Sequence, residues 1–216
     1  MTLRWRCMIA VCGLLAAASH AAELDVRITA ARNAPVEDAV VSLVPRDAPA
    51  AARDLPATKI IDQKDETFIP YVEIFRPGDS VVFRNSDQTR HHVYSFAPAR
   101  QFEFVLTSGQ RSAPLRLEHA GVVAVGCNIH DHMITYLYIG DAPWMMRSGA
   151  DGHALIGSLP AGDYDVQVWH PRLRPGQPLP RQALHLANAA DRQEISFALT
   201  LLPDSRLRAD RERADY

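Results

Sequence analysis

The stretch Cys127-Asn128-Ile129-His130-Asp131-His132-Met133 spaces a thiol, an imidazole and a thioether three residues apart. Upstream, the pair His91-His92 opens another apolar segment. One thiolate and two imidazoles in a trigonal array, with a weak axial thioether, form the blue-copper electron-transfer site. Soft sulfur donors stabilise Cu(I), whereas imidazoles accept both oxidation states. Cys127, His130, Met133 and one histidine of the upstream pair therefore predict a copper site.

Zinc is the alternative metal for this donor set. One cysteine and two histidines can bind zinc, but a thioether adds little there, and structural zinc sites use four Cys or His ligands. Met133 therefore favours copper. The remaining alternative is a set of ordinary polar loop residues beside a core methionine. The common three-residue spacing of Cys127, His130 and Met133 argues against it.

The N-terminal residues have the layout of a secretory signal peptide. Two arginines precede an almost wholly apolar run over residues 7–18, and small residues precede a cleavage point after Ala21. The run is about 12 residues long, which is too short to span a bilayer. We expect removal of residues 1–21, a periplasmic or secreted location, and no transmembrane segment after cleavage. Cys127 is then the last of three cysteines, without an internal disulfide partner.

The rest of the chain is patterned as short strands. Segments 71–75, 80–83 and 121–127 are rich in β-branched and aromatic residues, and turns such as Arg76-Pro77-Gly78-Asp79 separate them. Strands that recur about every eight to twelve residues are typical of a sandwich or barrel. Since no segment has a sustained helical period, we predict an all-β protein.

Composition and motifs exclude several classes of function. The chain is 47% apolar and 22% charged, with a formal net charge of -2. A general nucleic-acid binder needs a strongly basic face, so we expect no nucleic-acid partner. The sequence offers no nucleophile–base–acid set and no glycine-rich phosphate loop. We therefore expect no enzyme activity.

Two sequence frames resemble the cupredoxin family of the amicyanin and plastocyanin type. They are Asn85-Ser86-Asp87-x-x-x-His91-x-Val93 and Cys127-x-x-His130-x-x-Met133. The resemblance covers residues 57–141 and extends to proteins of the methylamine-utilisation type. It implies a Greek-key β-sandwich with one type 1 copper. Carried over residue by residue, it makes His91, Cys127, His130 and Met133 the metal ligands.

The sequence departs from this family pattern at two histidines. His92 stands where these cupredoxins usually carry an asparagine, whose side chain ties the two ligand loops together. His132 is an additional histidine inside the ligand loop. We expect His132 to be a solvated side chain at the copper edge. The alternative is that His92 or His132 contacts the metal and changes its potential.

Segments on either side of the copper domain resemble a second, carboxypeptidase regulatory-like or transthyretin-like β-sandwich. The first segment, residues 22–56, ends in a proline-rich linker, and the second, residues 142–202, contains the turn Leu159-Pro160-Ala161-Gly162-Asp163-Tyr164. The resemblance implies that the cupredoxin sandwich, residues 57–141, is inserted into or flanked by this second sandwich.

The C-terminal part carries two further expectations. The runs 183–186 and 194–201 could pair with each other as final strands. Residues 203–216 are charged and nearly without apolar side chains, which predicts a flexible tail.

These observations predict a periplasmic type 1 copper protein that carries single electrons between transient redox donor and acceptor proteins. Cys127 would provide the main electronic coupling, and His130 the exit towards a partner. The alternative is a periplasmic copper-binding or delivery protein without electron transfer, because additional donors such as His92 and His132 favour ligand exchange. A third possibility is an adhesion or scaffold module that copper only stabilises.

Overall fold

The computed structural model describes residues 22–47, 55–188 and 192–207, and their regular structure is almost entirely β. This confirms the predicted all-β class. The predicted signal peptide, residues 1–21, lies outside the described residues. The strands are β1 (Ala22–Thr29), β2 (Val40–Pro45), β3 (Thr58–Lys64), β4 (Thr67–Ile69), β5 (Val72–Phe75), β6 (Ser80–Asn85), β7 (His91–Ala97), β8 (Arg100–Leu106), β9 (Leu115–Arg116), β10 (Gly121–Cys127), β11 (Ile134–Ile139), β12 (Trp144–Arg147), β13 (His153–Leu159), β14 (Gly162–Trp169), β15 (Arg181–Leu186) and β16 (Arg192–Ala198).

Helical structure is minor in the described part of the chain. Short 3-10 helices cover Ala31–Asn33 and Ser205–Leu207. Within residues 22–47, 55–188 and 192–207, no helix combines the length and the apolar character needed to cross a bilayer.

Strands from both ends of the chain form two sheets around one core. β1 lies between β13, which runs antiparallel to it, and β16, which runs parallel, while β2 lies between β12 and β14. Along β1 the buried residues Leu24, Val26 and Ile28 alternate with more exposed ones, as expected for a strand with one face in a core. Buried residues of this core come from 22–43 and from 154–199.

The last two strands do not pair with each other. β15 pairs with β14, whereas β16 pairs with β1 in the other sheet. The expected pairing of 183–186 with 194–201 is therefore wrong. An alternating pattern sets which face of a strand is buried, but it does not select the neighbouring strand.

The middle of the chain forms a second pair of sheets, in the orders β5-β11-β10-β7-β8 and β4-β3-β6-β9. Their inner faces enclose a separate core, in which the Phe83 ring packs between Phe68, Phe102 and Phe104. Because β7 and β10 are neighbours and Val93 is the partner of the last residue of β10, that last residue lies near the start of β7, whose first residue comes two positions before Val93. The first residue of β7 is His91, and the last residue of β10 is Cys127.

The two pairs of sheets meet at a third apolar cluster. Val40, Tyr71 and Val72 are buried there, and half-buried Tyr136 and Trp169 pack against them. The Tyr136 ring lies 5.6 Å from the Tyr71 ring and 6.0 Å from the Trp169 ring, between centroids. Aromatic rings at such distances and tilts attract each other beyond the area that they bury. The cluster therefore joins β11 of the middle sheets to β14 of the outer ones.

The first residues of the expected tail are packed against this cluster. The Arg206 guanidinium lies 3.5 Å from the centre of the Tyr71 ring and donates a 2.7 Å hydrogen bond to Asp204. A guanidinium over an aromatic face is a favourable cation–π contact. Arg206 thus contacts the cluster, whereas residues 208–216 lie outside the described part, and the flexible tail over 203–216 stays a prediction.

Buried His170, which follows β14, predicts a pH dependence of stability. Burial, and next the Arg172 guanidinium, lower the pKa of His170 to about 4, while Arg206 lowers it and Asp204 raises it by smaller amounts. Unfolding returns this pKa to about 6.5, so the unfolded chain takes up the proton first as the pH falls. The contribution of neutral His170 to the free energy of unfolding is complete above about pH 6.5. It is lost as the pH falls towards 4, by about 3 kcal/mol in total.

Urea unfolding of the metal-free protein at several pH values measures this loss. His170→Asn is the matched variant, because an asparagine oxygen can accept the Arg172 amide hydrogen as Nδ1 of His170 does at 3.1 Å. We expect the free energy of unfolding of the variant to fall less steeply with decreasing pH than that of the unaltered protein, because the variant lacks the titration of His170. Equal slopes for both proteins between pH 6.5 and 4 would contradict the assignment.

Candidate metal centre

One tight turn carries Cys127, His130 and Met133. It links β10 to β11, and two backbone hydrogen bonds close it: Met133 N to His130 O at 3.1 Å and Cys127 N to Met133 O at 3.3 Å. Cys127 is 4% exposed, and it is the one free cysteine among the described residues. The three-residue spacing therefore corresponds to a turn that gathers these side chains at the end of the middle sandwich.

His91 reaches the same place from the neighbouring strand. The register pairs Cys127 with Val93, and the amide of Asn128 donates to the carbonyl of His92 at 3.0 Å. The side chain of His91 is fully buried. The sheet thus fixes an imidazole beside the thiol without any flexible segment between them.

The potential donor atoms converge. Nδ1 of His91 lies 3.7 Å and Nδ1 of His130 lies 3.8 Å from Sγ of Cys127. All three donor atoms lie within 4.8 Å of one another. The two imidazoles approach with 5.1 Å between their ring centroids. Two Nδ1 atoms and one sulfur therefore surround a common point.

Met133 is 2% exposed and belongs to the same apolar cluster as Cys127. It lies in the ligand turn, as the spacing requires. Its thioether as a fourth ligand stays a prediction.

The two extra histidines are engaged elsewhere. Nε2 of His92 lies 2.7 Å from the Glu103 carboxylate, across the β7–β8 pair. Nε2 of His132 donates to the carbonyl of Glu66 at 3.0 Å, and its ring centroid lies 6.3 Å from that of His130. Among the four histidines considered, the structure brings His91 and His130 to the thiol. His92 does not take over the loop-tying role of the asparagine through its ring.

The loop before β7 supplies a carboxylate to the buried imidazole. Oδ2 of Asp87 accepts from Nε2 of His91 at 2.8 Å. Burial alone would raise the pKa of the Asp87 carboxyl, but hydrogen bonds from His91, Glu66 and Asp65 outweigh it and lower that pKa below its usual value. An ionised carboxylate only accepts hydrogen bonds, so Nε2 of His91 carries a ring hydrogen, and Nδ1 is the nitrogen that faces the sulfur.

The frame Asn85-Ser86-Asp87 contains Asp87 without indicating a role for it, and Glu66 belongs to neither cupredoxin-like frame. Oε1 of Glu66 lies 3.8 Å from Nε2 of His130. A carboxylate four residues before a candidate ligand was a usable signal for Asp87, because metal-binding histidines commonly donate their second N–H to a carboxylate. Glu66 had no such signal, since it approaches from another hairpin.

This donor set fits copper. A buried thiol and two imidazole nitrogens match the trigonal Cys-His₂ set of blue-copper sites. A structural zinc site would require a fourth Cys or His, and no other Cys, His, Asp or Glu of the described residues joins the group. The residues present can therefore hold a copper ion with sulfur and nitrogen donors.

Comparisons with known proteins give fold neighbours only. No family model matches the sequence, and no curated protein matches it. Among solved structures, amicyanin from Paracoccus versutus is 18% identical with a TM-score of 0.35, over 46% of this chain and 98% of that one. A purple cupredoxin from Nitrosopumilus maritimus is 20% identical with a TM-score of 0.33, over 39% of this chain and 99% of that one.

A third solved structure is a much longer protein. The Cu-containing nitrite reductase from Thermus scotoductus SA-01 is 24% identical with a TM-score of 0.34, over 45% of this chain. The match spans only 25% of the reductase chain. At these identities and TM-scores the likeness supports no argument about function, so any such argument depends on the geometry of the donor atoms.

Proposed function

We propose that this protein is a periplasmic type 1 copper protein that carries single electrons. The observation that supports this is the convergence of Nδ1 of His91, Nδ1 of His130 and Sγ of Cys127 at 3.7 to 3.8 Å around the sulfur. His91, Cys127 and His130 would hold the ion, with Met133 as the weak fourth donor. Bound copper would supply a Cu(II)/Cu(I) couple that takes up and releases one electron.

The chain's own residues would divide the work. Cys127 and His91 are buried in the sheet and would keep water from the centre. The side chain of His130 is 15% exposed, so it is the donor with access to the surface. It would therefore form the contact through which a transient donor or acceptor protein exchanges electrons.

The sandwich architecture supports a further part of the proposal. The donors come from the sheets of residues 58–139 and from the turn between β10 and β11, whereas the other two sheets combine earlier and later residues around one core. We propose that residues 57–141 form a cupredoxin domain inserted into a carboxypeptidase regulatory-like sandwich made of residues 22–56 and 142–202. Export after removal of residues 1–21 belongs to the same proposal.

Copper loading tests the proposed function. The purified metal-free protein would be titrated with Cu(II), and its visible absorption followed through reduction and reoxidation. We expect one copper per chain, an intense thiolate-to-copper band, and reversible bleaching. A protein that stays colourless and passes Cu(I) to a chelator would contradict electron transfer.

Copper delivery is the second candidate function. The imidazole of His132, whose ring lies 6.3 Å from that of His130, puts another nitrogen donor at the edge of the site. A donor in that position can assist ligand exchange. The chelator arm of the loading experiment separates this function from electron transfer.

A matched pair of variants identifies the histidine ligand of the turn. We expect His130→Ala to lose or strongly shift the thiolate-to-copper band, because it removes a nitrogen 3.8 Å from the sulfur. We expect His132→Ala to retain the band, since its Nε2 is bonded to a backbone carbonyl. Visible and electron paramagnetic resonance spectra of both loaded variants measure this. The opposite result would mean that His132 is the ligand.

A further inference from the structure

The hairpin turn between β3 and β4 lies against the candidate metal centre. Its two central residues, Asp65 and Glu66, have φ values of 54° and 53°. This left-handed region is unfavourable for residues with a Cβ atom, so surrounding contacts must hold the turn. The contacts come from Asp87, whose carboxylate accepts the Asp65 amide at 2.6 Å and the Glu66 amide at 3.1 Å.

The same carboxylate holds the buried imidazole. Oδ2 of Asp87 receives both the Glu66 amide and Nε2 of His91. The backbone amide of Asp87 is itself fixed, because it donates to the side-chain oxygen of buried Asn85 at 2.9 Å. Asp87 therefore ties the hairpin turn to the first candidate ligand.

The turn also reaches the second candidate ligand. The Glu66 carboxylate lies 3.8 Å from Nε2 of His130, and the Glu66 carbonyl accepts from Nε2 of His132. Each of the two imidazoles that face the sulfur through Nδ1 thus faces a carboxylate through Nε2. One short turn connects the loop before β7 with the ligand turn after β10.

We propose that Asp87 is a positioning residue that orients both imidazoles, His91 directly and His130 through the turn at Asp65 and Glu66. It preforms the arrangement of two Nδ1 atoms around the thiol before any metal binds. This tie replaces the side-chain link that the ring of His92, held by Glu103, does not make. The role in copper binding rests on the proposed function, whereas the orientation of the rings does not.

The first arm of the test uses the metal-free protein. Nitrogen-15 NMR reports the tautomer of each imidazole, and hydrogen exchange reports the amides of Asp65 and Glu66. We expect His91 to carry its hydrogen on Nε2 and both amides to exchange slowly. Asp87→Ala should speed hydrogen exchange at both amides and change the ring signals of both His91 and His130. Of these two imidazoles, Asp87 is hydrogen-bonded to that of His91 alone.

Three further variants sharpen this arm. Asp87→Asn keeps the size of the side chain and one of its two acceptor oxygens. It should therefore change the amide exchange and the ring signals less than Asp87→Ala does, and it provides a folded variant if the alanine variant does not fold. Glu66→Gln should move the His130 signals and leave those of His91. The control Glu103→Gln, which alters the carboxylate on His92, should move neither. Unchanged His130 signals in both Asp87 variants would overturn the proposal.

The second arm uses the copper-loaded protein. Loss of an outer hydrogen-bond partner commonly weakens metal binding about 10- to 100-fold. We expect a loss of that size in Cu(I) affinity for Asp87→Ala, with a shift of the thiolate-to-copper band and of the copper hyperfine splitting. If Asp87→Ala has the same Cu(I) affinity and the same spectra as Glu103→Gln, the proposed role of Asp87 in copper binding is wrong. If the unaltered protein takes up no copper, the proposed function fails, and the metal-free arm still decides the positioning role.

Discussion

Replacing Cys127 by serine will abolish the thiolate-to-copper absorption of the loaded protein. The band requires a sulfur donor, and Cys127 is the one free cysteine among the described residues, with both candidate imidazoles within 3.8 Å of its sulfur. Serine keeps the shape of the side chain but offers a hard oxygen, which binds soft Cu(I) poorly. The Cu(I) affinity should fall by more than the roughly 10- to 100-fold that loss of an outer partner costs.

The measurement compares visible spectra and chelator competition for the unaltered and the serine protein. Circular dichroism provides the control for folding, since the substitution replaces a buried sulfur by the smaller oxygen. His92→Ala is the matched variant, because His92 is adjacent to His91 but bonded to Glu103, and its spectrum should be retained. A serine variant that keeps an intense band would place the copper elsewhere and overturn the proposed function.

The three residues that converge in the structure, His91, Cys127 and His130, could be predicted from the sequence because two of them lie in one turn. Spacing of three residues between Cys127 and His130 is local information, and the turn after β10 follows from it. The pair His91-His92 marked the start of a strand, but the choice of His91 came from the resemblance of the frame Asn85-Ser86-Asp87-x-x-x-His91-x-Val93 to cupredoxins. What spacing could not show is which nitrogen faces the sulfur, since that depends on the partners of the opposite nitrogen.

Those partners come from a separate hairpin. The bonds from Asp87 to Asp65 and Glu66 span more than twenty residues of sequence and depend on how β3 packs beside β6. No local pattern marks a turn that will lie over a site. The same limit explains β15 and β16: their alternation predicted strands, but β14 and β1 were selected as neighbours by the packing of two sheets around one core.

The interleaved sequence order raises the question of whether the two sandwiches behave as separate bodies. Their buried residues fall into separate clusters, one from residues 22–43 and 154–199 and one from residues 61–139. The third cluster around Tyr71 and Trp169 joins them, but it is small by comparison. Most apolar burial therefore lies within each sandwich, which predicts that a core mutation weakens one sandwich more than the other.

Phe83→Ala will selectively destabilise the middle sandwich. The Phe83 ring is fully buried and lies 5.5 to 6.3 Å, between centroids, from three other phenylalanine rings. Truncation of such a side chain leaves a cavity and costs about 3–5 kcal/mol. Copper should raise the midpoint of the same transition, because a ligand that binds only the folded state stabilises it by mass action.

Leu43→Ala is the matched control in the other core, since Leu43 is also fully buried and its loss costs about 2–5 kcal/mol. Thermal unfolding of each variant with and without copper separates the two sandwiches. We expect Phe83→Ala to lower the transition that copper raises, and Leu43→Ala to lower chiefly the transition that copper leaves in place. If Leu43→Ala lowers the copper-dependent midpoint as much as Phe83→Ala does, the chain unfolds as one cooperative unit. The small cluster at Tyr71 and Trp169 would then couple the sandwiches more strongly than its buried residues suggest.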